Sequence, residues 1–180
     1  MSDQPQASNL AETLGIQIYA VNPSTLPVSP NPPQNLDTHA LPWVEIGIGI
    51  MFKVLSVNNS TGELAMLTRY PPGTQLPPHR HSGTVFAYTL QGRWRYLEHD
   101  FIAGPGHLAH EMAGSCHTLK VLDDNTEDMI LLTYQSGDLI TYDDQGNIWA
   151  IDDAQTQLAN YLRMAKEQGI AVDEKLIVRW

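Results

Sequence analysis

A single cysteine, Cys116, is all the thiol that this 180-residue chain carries. One thiol can neither close an internal disulfide nor build a cysteine-based zinc cluster. A reducing compartment suits such a chain, and a cytoplasmic location is the expectation. Basic residues are scarce as well: 10 Lys and Arg against 20 Asp and Glu leave a formal net charge of -10. That balance speaks against nucleic acid and anionic membrane as partners, since both repel an acidic surface. No uninterrupted apolar run approaches the ~20 residues that span a bilayer. The opening MSDQPQASNLAETLG lacks a basic stretch followed by an apolar one, so it does not read as a secretion signal. Nor does anything in the sequence resemble a dinucleotide loop.

What is present begins at the ends. Residues 1–40 are rich in proline and polar residues, as in STLPVSPNPPQN, and read either as an extended arm over the surface or as a disordered tail. Within them LAETLGIQIYA could form a short element that docks on a neighbouring subunit. From Leu41 the texture turns apolar and β-rich: LPWVEIGIGIMFKVLSV and ELAMLTRY flank the turn NNSTG. Short strands then follow through Thr84–Leu90, Arg93–Ile102, His107–Glu111, His117–Leu122 and Met129–Tyr134. LITYDD and NIWAID form a late hairpin. Many short strands with no helix between them predict a double-sheet jelly roll over residues 41–151. After Asp152 and Asp153, either of which can cap a helix, Leu158, Tyr161, Leu162 and Ala165 fall on one stripe that ends at Gly169. Residues 152–180 are therefore expected to be a helix and tail packed on the barrel, with the final AVDEKLIVRW open between a strand and a helical turn. The length suits one domain with a full core.

The chemistry concentrates between Gly73 and His117. His79 and His81 are two residues apart, so on a strand they share a face, and a folded sheet can bring His117 to them. Three imidazoles are a ligand set for a transition metal. Gly73, five residues, His79, Arg80, His81 and later Gly92 match the first motif of the cupins. Gly106, five residues, Met112, Ala113, Gly114, two residues and His117 match the second. The glutamate usual in the first motif is Val85 here, and the proline usual in the second is Met112. If Gln91 and Gly92 make a two-residue hairpin turn, counting outward sets Val85 opposite Glu98, and opposed residues share a sheet face. Glu98 is thus the expected fourth ligand.

The neighbours divide by alternation. His99 is expected on the opposite face, at the surface or an interface, and His107 and His110 facing solvent or supporting a ligand. Cys116 points away from His117 and is expected as a small buried residue. Glu111 either orients a ligand or sits on the rim. Trp94 and Tyr96 project inward, as core or, for Tyr96, as a substrate contact, while Ala87 and Thr89 face them and leave space.

The segment RWRYLEHDF, the two motifs and ITYDDQGNIWAIDD together resemble the 2,4'-dihydroxyacetophenone dioxygenase family of cupins, from about Leu41 to the C-terminal segment. The resemblance implies an all-β cupin double-stranded β-helix, a jelly-roll barrel, with an N-terminal arm and a C-terminal helix. It also implies a non-haem Fe(II) held by His79, His81, His117 and Glu98, with Zn(II) or another divalent transition metal as the alternative. The reaction implied uses O2 to cleave the bond between the carbonyl and hydroxymethyl carbons of an aromatic α-hydroxy ketone, giving an aromatic carboxylate and formate. Other classes stay open on the same fold: a β-diketone dioxygenase, a metal-dependent isomerase, or a zinc-binding ligand-sensing cupin. A homodimer or homotetramer is expected.

Overall fold

The computed structural model describes residues 34–179. Most of the expected N-terminal arm, including LAETLGIQIYA, and Trp180 lie outside the described residues. The described end of the arm holds one 3-10 turn, Thr38–Ala40, capped by the Asp37 carboxylate.

In chain order the strands are β1 (Val44–Gly47), β2 (Ile50–Asn58), β3 (Glu63–Tyr70), β4 (His79–His81), β5 (Val85–Gln91), β6 (Trp94–Tyr96) and β7 (Leu108–Glu111). They continue as β8 (Cys116–His117), β9 (Leu119–Val121), β10 (Met129–Gln135), β11 (Leu139–Tyr142), β12 (Ile148–Asp152) and β13 (Val178–Arg179), with helix α1 (Ala154–Glu167) before the last. Seven strands form one sheet in the order β1-β2-β3-β10-β5-β7, with β13 running parallel along β2. A second sheet has the order β12-β11-β4-β8, and β6 pairs with β9. The sheets stay open at their edges, so the all-β jelly roll expected from the sequence is a sandwich rather than a closed barrel.

Strand patterning explains the layers. On β5 the residues Val85, Ala87 and Thr89 are buried while Phe86, Tyr88 and Leu90 are exposed, the period-two pattern of a strand with one wet face. β2 is buried along nearly its whole length, because α1 packs Tyr161 on Phe52 from one face while the segment before β1 covers the other, where Lys53 Nζ donates to the Thr38 carbonyl and lies over the Trp43 ring. That helix starts where Asp153 Oδ1 accepts from the Thr156 amide at 2.7 Å. It buries Ala154, Tyr161 and Ala165 against Phe52, Val54 and Leu64, and the Tyr161 hydroxyl donates to the Pro42 carbonyl. The ambiguous tail resolves into a 3-10 turn, Glu174–Leu176, followed by β13. A second apolar cluster, built from Tyr70, Trp94, Tyr96, Leu119, Val121 and Leu131, lies on the histidine side of the sandwich. Among the described residues no helix is long and apolar enough to cross a membrane.

The expected hairpin at Gln91–Gly92 does not form. β5 is paired on both edges, with β10 on one and β7 on the other, and β6 leaves to pair with β9. Gly92 makes this departure possible. Its φ of +74° suits glycine, and a Cβ there would lie 2.7 Å from the Met129 Cα.

Candidate metal centre

The three histidines are set by strand register. β4 is three residues long and lies between β8 and β11, which puts His79 opposite His117 on one side and Thr141 on the other. His79 and His81 share the buried face, and Arg80 between them does not. Each of the three can offer a ring nitrogen to a common point, the three atoms lying within 4.8 Å of one another, and all three side chains are buried. Such a cluster can hold a divalent metal ion.

Burial and hydrogen bonding prepare these rings for that task. His79 Nδ1 lies 3.0 Å from the Pro77 carbonyl oxygen, so the proton sits on Nδ1 and the Nε2 lone pair is free. Burial is the first reason that the His79 imidazole is held below its ordinary value, and it pushes His81 down to about 4. Both rings are therefore neutral near pH 7, the form in which imidazole binds metal.

The carboxylate facing these rings belongs to Glu111, at the end of β7, rather than to Glu98. Glu111 is directly opposite Val85 in the β5–β7 ladder. Its Oε2 lies 3.2 Å from His117 Nε2 and 3.5 Å from His81 Nε2, and its Oε1 accepts from the Tyr96 hydroxyl. Burial pushes the Glu111 carboxyl up, but the contacts with His117, Tyr96 and His81 outweigh it and hold the group below its usual value. Tyr96 also stacks on His117 with ring centroids 4.0 Å apart.

Glu98 follows β6 and is exposed, and its Oε2 accepts from the Thr118 amide at 2.9 Å. Its distance from the expected position follows from the hairpin that does not form. Cys116 points away from His117, as alternation requires, but towards solvent, so it is exposed rather than a small buried residue. His99, His107 and His110 are exposed on the rim of an open cleft of about 760 Å³ that reaches Glu111 and His117 from outside. Sequence reasoning gave Glu111 only a general role. The signal that could have found it is the missing motif glutamate itself, because Val85 marks a place on the inner face that another strand must fill with an acid.

On the inner side, His79, His81, Tyr96 and Glu111 open onto a chamber of about 240 Å³. Its walls include Phe52, Tyr70, Leu76, Leu131 and Trp149. Three buried polar atoms of the centre, His81 Nδ1, His117 Nε2 and Glu111 Oε2, have no hydrogen-bond partner among the described residues. Orphaned atoms of this kind are rare in a folded interior and call for a partner such as an ion. The donor set and its orphans fit a divalent metal.

Comparisons with known proteins agree with this fold. The chain is similar to an RmlC-like cupin protein of Ralstonia eutropha, at 34% identity and TM-score 0.72 over 78% of this chain and 91% of that one. A second cupin-like protein of Ralstonia eutropha, of unknown function, aligns at 26% identity and TM-score 0.73, over 81% of this chain and 91% of the other. An acetylacetone dioxygenase of Acinetobacter johnsonii shares the fold at 15% identity and TM-score 0.65, covering 82% of this chain and 99% of that one. No curated protein matches the chain. The profile of the ChrR Cupin-like domain matches residues 32–137, more than half of the sequence. The chain belongs to that cupin family.

Proposed function

We propose that the protein is a non-haem iron dioxygenase that cleaves an aromatic α-hydroxy ketone with O2. The observation that carries this reading is the juxtaposition of three buried, metal-competent imidazoles with a small chamber walled by apolar and aromatic side chains. At about 240 Å³ the chamber lies below the ~300–1,000 Å³ of ordinary ligand pockets, a size for a single-ring substrate.

His79, His81 and His117 would hold the ion. When bound, Fe(II) supplies Lewis acidity towards the ketone and hydroxyl oxygens and the redox capacity that dioxygen chemistry needs. The protein's own part is positioning and exclusion of water. Phe52, Tyr70, Leu131 and Trp149 desolvate the aromatic ring and leave its polar end facing the imidazoles. Tyr96, committed through its hydroxyl to Glu111, contributes its ring as a wall of the chamber. The reaction balances without a further reductant: the ketone and one O2 give one aromatic carboxylic acid and one formic acid.

The test is oxygen uptake by anaerobically purified, Fe(II)-loaded protein, with 2-hydroxyacetophenones and β-diketones side by side. The expected result is consumption of one O2 per hydroxy ketone with formate released. Uptake with diketones alone would assign a different dioxygenase activity. A tight zinc site with no oxygen-dependent turnover would make it a ligand-sensing protein.

A further inference from the structure

We propose that the outward face of β10, β5 and β7 is the surface through which two copies of this chain pair, sheet against sheet. Such pairing needs neither metal nor substrate and stands apart from the dioxygenase reading.

Strand register lays the face out in two rows. Leu108, Tyr88 and Leu132 are directly opposed across β7, β5 and β10, as are His110, Phe86 and Tyr134, and opposed residues leave a sheet on the same side. Leu90 continues the outward set on β5. Where an antiparallel sheet meets water its outward positions are polar, yet Phe86, Tyr88, Leu90, Leu108 and Tyr134 are 38–56% exposed. Phe86 and His110 stack with ring centroids 4.7 Å apart, a contact that fixes both rings before any partner arrives. The row of Leu108 runs on through Leu67 of β3 to Lys53 of β2. There the segment before β1 lies over the sheet, with Lys53 donating to the Thr38 carbonyl and standing over Trp43. Among the described residues no such cover extends to β5 and β7.

Charge selects what covers the rest. No outward position of the three strands holds Asp, Glu, Lys or Arg, in a chain whose formal net charge is -10. A basic partner is drawn to carboxylates and finds none on this face. Two acidic copies repel each other, and a face clear of carboxylates is where that repulsion costs least. Area agrees: the side chains of the face present on the order of 500 Å² per copy, the larger part of the ~800 Å² that each partner contributes to a stable interface. A two-fold axis sets the same patch of both copies against itself, with the two sheets about 10 Å apart.

Sedimentation velocity of the full chain provides the test. The unaltered protein is expected at twice its 20.0 kDa chain mass. Tyr88→Lys, which sets a charge at the centre of the face, should halve that mass, with the dissociation constant raised at least about thirtyfold, the loss that marks a central interface residue. Leu108→Lys should act alike, and it carries the comparison if circular dichroism shows Tyr88→Lys to be unfolded. Ile151→Lys, equally exposed but on β12 of the other sheet, should leave the mass unchanged. Added salt should tighten the pair, because it screens two acidic bodies and leaves an apolar contact intact.

An unaltered chain that sediments as a monomer overturns the inference, as does a dimer that survives in the folded Tyr88 and Leu108 variants. A dimer that Ile151→Lys dissociates would place the interface on β12, and one that salt dissolves would be held by ion pairs; either result overturns it as well.

Discussion

Tyr96 lies against the face of His117 while its hydroxyl donates to Glu111. One side chain thus touches a metal-competent imidazole and the acid beside it. Tyr96→Phe keeps the ring and deletes the donor. Hydrogen bonds to charged groups contribute about 1.5–3 kcal/mol, so the variant should lose about 2 kcal/mol of unfolding free energy in urea. Tyr96→Ala, which also opens a cavity, should lose about 3–5 kcal/mol. A loss of only a few tenths in the Phe variant would show that the bond to Glu111 contributes nothing.

His79 and His117 stand opposite each other in the β4–β8 ladder. Replacing either by alanine removes a donor without breaking the backbone pairing. We expect His79→Ala and His117→Ala each to lose bound metal and oxygen uptake together, as measured by elemental analysis and an oxygen electrode. Full activity in either variant would reject its ligand role.

Acid should destabilise the metal-free protein before the ordinary carboxylates titrate. His81 is pushed down to about 4 by burial, and His79 shifts in the same direction for the same leading reason. The unfolded chain, with His near ~6.5, therefore binds protons that the folded chain refuses. Stability is complete above that value and drains away as pH falls towards 4. Glu111, held below its usual value, adds a loss at the lower end of the same range. Urea midpoints measured from pH 8 to pH 4 should begin to fall near 6.5, and a flat profile between 7 and 5 would contradict the burial of neutral imidazoles.

The helix cap offers a control far from the histidines. Asp153 Oδ1 accepts from both the amide and the hydroxyl of Thr156. Asp153→Ala should cost about 1 kcal/mol, with metal affinity unchanged. A coupled loss of metal would mean that α1 props the centre from a distance.

Much of this was legible in the sequence because it depends on periodicity. Alternation sets Val85, Ala87 and Thr89 on the inner face of β5, and the spacing of His79 and His81 gives them a common face. The capped stripe of α1 could be read in the same way. The acid beside the histidines could not, because its place depends on which strands become neighbours. A glycine after Gln91 looks like a hairpin turn, but in a two-sheet sandwich the chain leaves one layer there for another pairing. β5 meets β7 across an intervening excursion, and nothing local in the sequence announces that pairing. The acid opposite Val85 stands on β7 and not on the strand that follows Gly92.

The three imidazoles come from the four-stranded sheet, whereas Glu111 stands on the edge strand of the seven-stranded one. A cation held by the imidazoles would attract that carboxylate and so draw the two layers of the sandwich together. Chelation would then do more than silence chemistry: it would unfasten the fold, and the melting temperature should track free metal concentration as for any ligand that the folded state alone can hold.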